Sequence, residues 1–230
     1  KLKKEQELQA SSNELDKAIE EAEELKSRAE ALGDAAPSGI SSEGDVSIKL
    51  NSPDGTVHVG SEDNALGITA GGDTDIGTGE GSQLGDVFVE SGGDLKLKPI
   101  QTQGKVELDA TGNITGAEGA EGNIISADEA HINSLGGNVG KSEDEPLKLS
   151  VDELSAYGEN VWIENDRGLN IDSVIGEDEV SIKAGGDISG DGDSSTDDVI
   201  GGDVSIEAEG DIGSEDEPLD VESGEISAKG

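Results

Sequence analysis

The sequence lacks cysteine and methionine, and its 230 residues include a single phenylalanine, tyrosine and tryptophan: Phe88, Tyr157 and Trp162. The absence of cysteine excludes disulfides and thiolate sites. The scarcity of aromatic residues argues against an ordinary globular core, because aromatic side chains dominate the energetics of such cores. No apolar run approaches the roughly 20 residues that span a bilayer, so membrane insertion is not predicted.

Positive charge is also scarce: 15 basic residues face 54 acidic ones, which gives a formal net charge of −39. Residues 1–32 contain six of these basic residues and nine of the acidic ones, so residues 33–230 carry 45 acids and nine bases. A surface of this sign repels nucleic acid, whose binding begins with neutralisation of phosphates. It attracts cations and keeps a repetitive exterior in solution.

The first 36 residues predict an amphipathic, coiled-coil helix. Two interleaved heptad series supply its apolar stripe: Leu8, Leu15, Ala22 and Ala29, and Ser11, Ala18, Leu25 and Leu32. Gly33 ends the pattern as a helix C-terminal glycine does. The stripe is expected to self-associate through Leu8, Leu15, Leu25 and Leu32. An intramolecular cap or a simple tether remain the alternatives.

After a predicted linker at residues 37–43, the pattern changes to short alternating runs over residues 44–230. Triplets such as Val46-Ser47-Ile48, Val87-Phe88-Val89 and Val180-Ser181-Ile182 predict strands with one buried face. Dipeptides such as Gly93-Asp94 and Gly202-Asp203 bound them, with glycine expected to supply positive φ and aspartate to cap the corner. Strands this short, each followed by a corner, fit the faces of a parallel β-helix.

A longer repeat supports stacked coils. The segment 142–147 (Ser-Glu-Asp-Glu-Pro-Leu) recurs unchanged at 214–219, and a degenerate copy lies at 61–66. Internal repetition at variable spacing is typical of coils with loops inserted at their corners. Coils of about 18–24 residues are therefore expected.

The repeat region resembles large bacterial exoproteins of the filamentous haemagglutinin type. The similarity lies in the block Gly210–Val221, the preceding run Gly202–Ala208, and the segments Asn160–Asn165 and Gly168–Ile171, which occur in the order found in that family. The resemblance implies a right-handed parallel β-helix on a secreted or cell-surface protein. It also implies a role in adhesion or in a fibre.

Candidate chemistry is sparse. His58 and His131 each lie beside an apolar triplet and are expected to be solvated strand residues, and neither has the spacing of a zinc site. Arg28 and Arg167 are the only arginines, and no cluster of aromatics could stack on sugar. No enzyme activity is predicted.

The best candidate metal site is the loop from Asp187 to Asp198. Asp191, Asp193, Asp197 and Asp198 offer the hard oxygen ligands that Ca²⁺ takes, although Gly202 stands where an EF-hand has glutamate. A solvated acidic turn is the alternative interpretation. No cofactor is predicted unless this loop binds Ca²⁺.

The sequence thus predicts an extracellular, self-associating and non-catalytic fibre or stalk module. The alternative is an adhesin that binds glycans or proteins on host or community cells. Expected partners are other copies of the chain and, for the adhesin, such cell-surface ligands.

Overall fold

Strands, most of them short, account for most of the residues that the structure describes. The computed structural model describes residues 39–43, 46–50, 57–59, 66–70, 74–78, 84–192, 196–214 and 217–230. The predicted helix 1–36 lies outside these residues. The strands are β1 (Gly39–Ser42), β2 (Val46–Leu50), β3 (Val57–Val59), β4 (Leu66–Ala70), β5 (Thr74–Thr78), β6 (Leu84–Ser91), β7 (Leu95–Leu97), β8 (Ile100–Gln101), β9 (Lys105–Ala110), β10 (Ile114–Gly116), β11 (Ile125–Ser126), β12 (Glu129–Ser134), β13 (Leu147–Ser150), β14 (Glu153–Asn165), β15 (Leu169–Ala184), β16 (Ile188–Gly190), β17 (Val199–Ala208) and β18 (Val221–Lys229).

All pairings between these strands are parallel, and they stack into a β-solenoid. The first face runs through β1, β4, β6, β9 and β12 into the amino-terminal halves of β14, β15, β17 and β18. The second face contains β2, β5, β7 and β10, and continues into the carboxyl-terminal halves of β14, β15, β17 and β18. The shorter strands β8, β11 and β13 extend this second face, because β13 pairs with the carboxyl-terminal part of β14 and β11 pairs with β13 and β8.

Register partners in successive coils of the first face lie 17 to 28 residues apart. The variation comes from loops at the corners, as the repeat predicted. In both copies of the Ser-Glu-Asp-Glu-Pro-Leu segment the serine closes the same turn. Glu145 N donates to Ser142 Oγ at 3.1 Å, and Glu217 N donates to Ser214 Oγ at 2.9 Å.

The prediction of a linker at residues 37–43 was wrong, because β1 lies inside this segment.

One thin aliphatic core runs through the stack. The triplet positions expected to point inward are buried in the structure: Val46, Val87, Val89, Val161, Ile163, Val180, Ile182, Val204 and Ile206. Ile48 is partly buried and packs against the same core. Period-two alternation sends every second side chain inward, so each coil adds a few aliphatic residues to a shared column.

A ladder of aspartate and asparagine side chains binds successive corners together. Asn113 donates to Asp94 Oδ1 from N at 2.8 Å and from Nδ2 at 3.2 Å. Asn138 N donates to Asn113 Oδ1 at 2.9 Å, and Asn160 donates to Asn138 Oδ1 from N at 3.1 Å and from Nδ2 at 2.9 Å. Each side chain thereby satisfies a backbone N–H that strand pairing leaves open at the corner.

Close approach between coils accounts for four of the five corner glycines that the structure describes, and positive φ, which the sequence predicted, accounts for none of them. None of the described ones, Gly93, Gly112, Gly186, Gly202 and Gly210, has a positive φ. At Gly112 and Gly210 a carboxylate of the preceding coil occupies the space that a side chain would need, whereas backbone atoms occupy it at Gly186 and Gly202. A Cβ at Gly112 would collide with Asp94 Oδ1 and come within 2.9 Å of Asp94 N.

Replacing Gly112 with alanine should therefore destabilise the solenoid. Overpacking against Asp94 typically costs about 1–3 kcal/mol, and urea denaturation would measure the loss. Gly93→Ala is the matched control, because its Cβ would meet nothing within 4 Å. Equal stability of the two variants would contradict this account of the corner.

Candidate interaction surface

Basic residues gather on one side of the solenoid. Nine lie in the described residues, and seven of them project from the second face or from loops and strands beside it. We call this the lysine-bearing face, and its members are Lys49, Lys96, Lys98, Lys141, Lys148, Lys183 and Lys229. On a chain with a net charge of −39, seven of the nine positive charges in the described residues thus lie on one side.

A column of alternating charge follows this face. Strand register places Lys148, Glu164, Lys183, Glu207 and Lys229 beside one another in successive strands. Lys148 Nζ lies 3.7 Å from Glu164 Oε2, and Lys229 pairs with Glu207. Their mutual hydrogen bond lowers the pKa of Glu207 and raises the pKa of Lys229. Opposite charges on adjacent strands favour this register, whereas a one-residue slip would break every pair.

The sequence contained a signal for this column that the triplet pattern missed. The triplets that begin at Val161, Val180 and Val204 are followed by Glu164, Lys183 and Glu207, and Lys229 follows Ile226-Ser227-Ala228. Comparing this fourth position among repeats would have revealed the alternation.

A groove of about 800 Å³ opens on the same face between the loops after β10 and before β13. Lys96, Lys141 and Lys148 line it together with Glu118, Asp144, Glu145 and Glu164. Lys141 pairs with Glu145 within its own loop. The groove thus carries mixed charge, and Ala117, Ala120, Ile124 and Pro146 add an apolar part to its lining.

The first face carries a smaller charged cluster around His131. His131 Nε2 lies 2.8 Å from Glu129 Oε1, and Lys105 Nζ lies 3.2 Å from Glu107 and 3.5 Å from Glu129. Burial disfavours the Lys105 ammonium, but the two carboxylates outweigh it and its pKa lies above the usual value. His131 is therefore a partly exposed strand residue in a charge network. The side chain of His58 lies outside the described residues.

Arg167 contacts the backbone and a carboxylate of preceding coils. Its Nη2 donates to the carbonyl oxygens of Ala127 at 2.7 Å and Ser150 at 2.9 Å, which belong to two preceding coils. Its Nη1 lies 3.0 Å from Asp152 Oδ1. The guanidinium thus links three coils at one corner.

The predicted calcium ligands do not share one environment. Asp198 is buried, and its carboxylate accepts hydrogen bonds from Asp191 N at 3.2 Å and Asp220 N at 2.7 Å. Burial raises its pKa above the ordinary value, although these two hydrogen bonds oppose the shift. Asp191 is exposed, Asp197 is partly exposed, and Asp193 lies outside the described residues.

Asp198 therefore caps two backbone groups in neighbouring coils. Across the part of the chain that the structure describes, no group of three or more His, Cys, Asp and Glu residues is arranged to hold a metal ion. Leu8, Leu15, Leu25 and Leu32, the predicted self-association residues, lie outside that part.

Comparisons with protein families, curated proteins and solved structures return no match to this chain. Among the described residues, no helix has the length and apolar character needed to cross a membrane.

Calcium should bind the Asp191–Asp198 loop no more tightly than about millimolar, in the range of the weakest protein calcium sites. Asp198 is buried and each of its carboxylate oxygens already accepts a backbone N–H, so it is poorly placed to act as a ligand. Isothermal calorimetry would measure the affinity, with Asp191→Asn/Asp193→Asn as the comparison. Micromolar binding that this double variant loses would overturn the interpretation of the loop as an acidic turn.

Proposed function

We propose that the chain is a non-catalytic, self-associating fibre or stalk module of a bacterial surface or secreted protein. The observation that carries the proposal is the continuous parallel ladder from β1 to β18 around one aliphatic core. Each coil contacts only its neighbours, so length can grow by repetition without a change of cross-section. That property suits a rod that spans distance.

The distribution of polar side chains supports a structural role. Several carboxylates and amides that could otherwise bind a ligand satisfy backbone groups between coils. Examples are Asp94, Asn138, Asp187 and Asp198. Their hydrogen bonds strengthen the stack at the corners, where strand pairing is interrupted.

The acidic exterior supports a dispersed rod in an extracellular setting. Like charge opposes lateral contact most strongly at low ionic strength, where screening is weak. Self-association should therefore concentrate at the ends of the solenoid and along the helix predicted for residues 1–36. We also propose that the solenoid is right-handed and that the helix predicted for residues 1–36 forms a coiled coil.

The intact chain is expected to sediment as an oligomer, and higher salt or divalent cations should promote side-by-side bundling. Sedimentation velocity across protein concentration and ionic strength tests this. Leu15→Asp/Leu25→Asp, which introduces charge into the heptad stripe, separates association through the helix from association through the solenoid.

A chain that remains monomeric under all these conditions would contradict the fibre proposal. The adhesin is the second candidate, and the mixed-charge groove beside Lys141 and Lys148 is the feature that favours it. Saturable binding of one class of glycan or protein by such a monomer would support the adhesin in place of the fibre.

A further inference from the structure

Three apolar side chains line up on the outer surface of the first face. Tyr157, Ile175 and Ile200 are register partners in β14, β15 and β17. Each is partly exposed, whereas the residues immediately before and after it are buried, so period-two alternation turns all three outward. We call these three residues the apolar strip. The column continues with polar residues on both sides of the strip: Asn133, Asp109 and Glu90 before it, and Glu222 after it.

The strip contains the only tyrosine of the chain. The hydroxyl of Tyr157 donates to Glu177 Oε1 at 2.7 Å. Burial, and then this hydrogen bond and nearby carboxylates, raise the pKa of Tyr157 to about 12, so the strip stays uncharged at neutral pH. Tyrosine is enriched at binding hot spots, because it combines a large apolar ring with a polar tip.

Exposed carboxylates border the strip. Asp172 lies on one side of it, three residues before Ile175, and Glu177 and Asp178 lie on the other side. Glu222, the next residue of the column, is also exposed. An apolar patch with a polar border is typical of an interaction site. The acidic border favours a partner that carries positive charge on both sides of its own apolar residues.

The spacing of the strip fits a helix that lies along the axis of the solenoid. Adjacent strands are about 4.8 Å apart, so the three residues span about 10 Å at the backbone. An α-helix rises about 1.5 Å per residue, which places residues i+3 and i+7 about 4.5 and 10.5 Å beyond residue i. In an extended strand, alternate residues are about 6.6 Å apart and do not match this spacing. One apolar stripe of a helix can therefore contact all three residues.

The charges of this chain do not complement the border of the strip. Residues 1–32, which contain the predicted heptad stripe, carry six bases and nine acids. The first face of a second copy would bring the same carboxylates against each other. Like charges across an interface disfavour a partner.

We infer that the apolar strip docks an amphipathic helix of another protein, with an apolar stripe against Tyr157, Ile175 and Ile200 and with lysine or arginine along both borders of that stripe. The helix lies along the side of the rod, with its axis parallel to that of the solenoid. The docking does not depend on self-association and adds recognition of a partner to the proposed stalk.

A synthetic peptide of three heptads tests the inference, with leucine at positions a and d, lysine at e and g, and glutamine elsewhere. The length is needed because helices shorter than about 12–15 residues are marginal in water. A control peptide has the same composition in an order that forms no stripe. Fluorescence anisotropy with the full chain at about 0.15 M salt should show that the striped peptide binds about tenfold or more tightly than the control.

Ile175→Thr/Ile200→Thr should weaken binding of the striped peptide about tenfold and leave the control peptide unchanged. Threonine is also β-branched and suits a strand, so the solenoid should be retained, and circular dichroism checks this.

Glu177→Gln/Asp178→Asn removes two charges from the border and should weaken the striped peptide about threefold or more. Glutamine keeps an acceptor for the hydroxyl of Tyr157. Glu143→Gln/Asp144→Asn is the matched control, because it removes the same two charges from an exposed loop before β13 and should leave the affinity unchanged.

Equal affinity of the two peptides, or no loss of affinity in the threonine variant, would overturn the inference, because binding would then follow charge alone. Absence of binding by the striped peptide would overturn it as well. If the threonine substitutions instead dissociate an oligomer of the unmodified chain, a second copy covers the strip and the inference fails while self-association stands.

Discussion

The structure depends on keeping each coil in register with the one before it. Backbone hydrogen bonds alone do not fix a parallel register, because a slipped strand regains most of them. Here the Asp94–Asn113–Asn138–Asn160 ladder links the corners of successive coils by hydrogen bonds. Glycine in the following coil, as at Gly112, leaves space for the side chain of the preceding coil. The buried aliphatic columns impose the same register from inside, since a slip by one residue would turn them to solvent.

The sequence predicted the strands and their inward residues because both follow from a period of two. Short aliphatic triplets with small polar residues between them have few other ways to bury a face. The prediction of positive φ at the corner glycines was wrong, because close approach between coils and positive φ both favour glycine and a sequence does not distinguish them. Gly112 is an example of the first, whereas Gly140 and Gly213 do have positive φ, of 84° and 67°.

Pairings between distant residues were harder to predict. That Asp198 would be buried against the N–H of Asp220 depends on a coil that begins more than twenty residues later. The Lys148–Glu164–Lys183–Glu207–Lys229 column likewise appears only once strands are aligned. Its three lysines and four others lie on the lysine-bearing face, whereas Lys105 lies on the first face and Arg167 at a corner. The two faces therefore differ in the charge of the molecules that they can attract.

The distance between spin labels on the second face tests the stacking of coils most directly. Adjacent strands are about 4.8 Å apart, so labels at Thr115 and Ser205, four coils apart by register, should be about 19 Å apart at the backbone. Moving the second label to Ser227 should add about 5 Å, although it moves 22 residues along the chain. Pulsed electron resonance on double cysteine variants would measure both. Two narrow distributions separated by one strand spacing are the predicted result, and broad or indistinguishable distributions would contradict the solenoid.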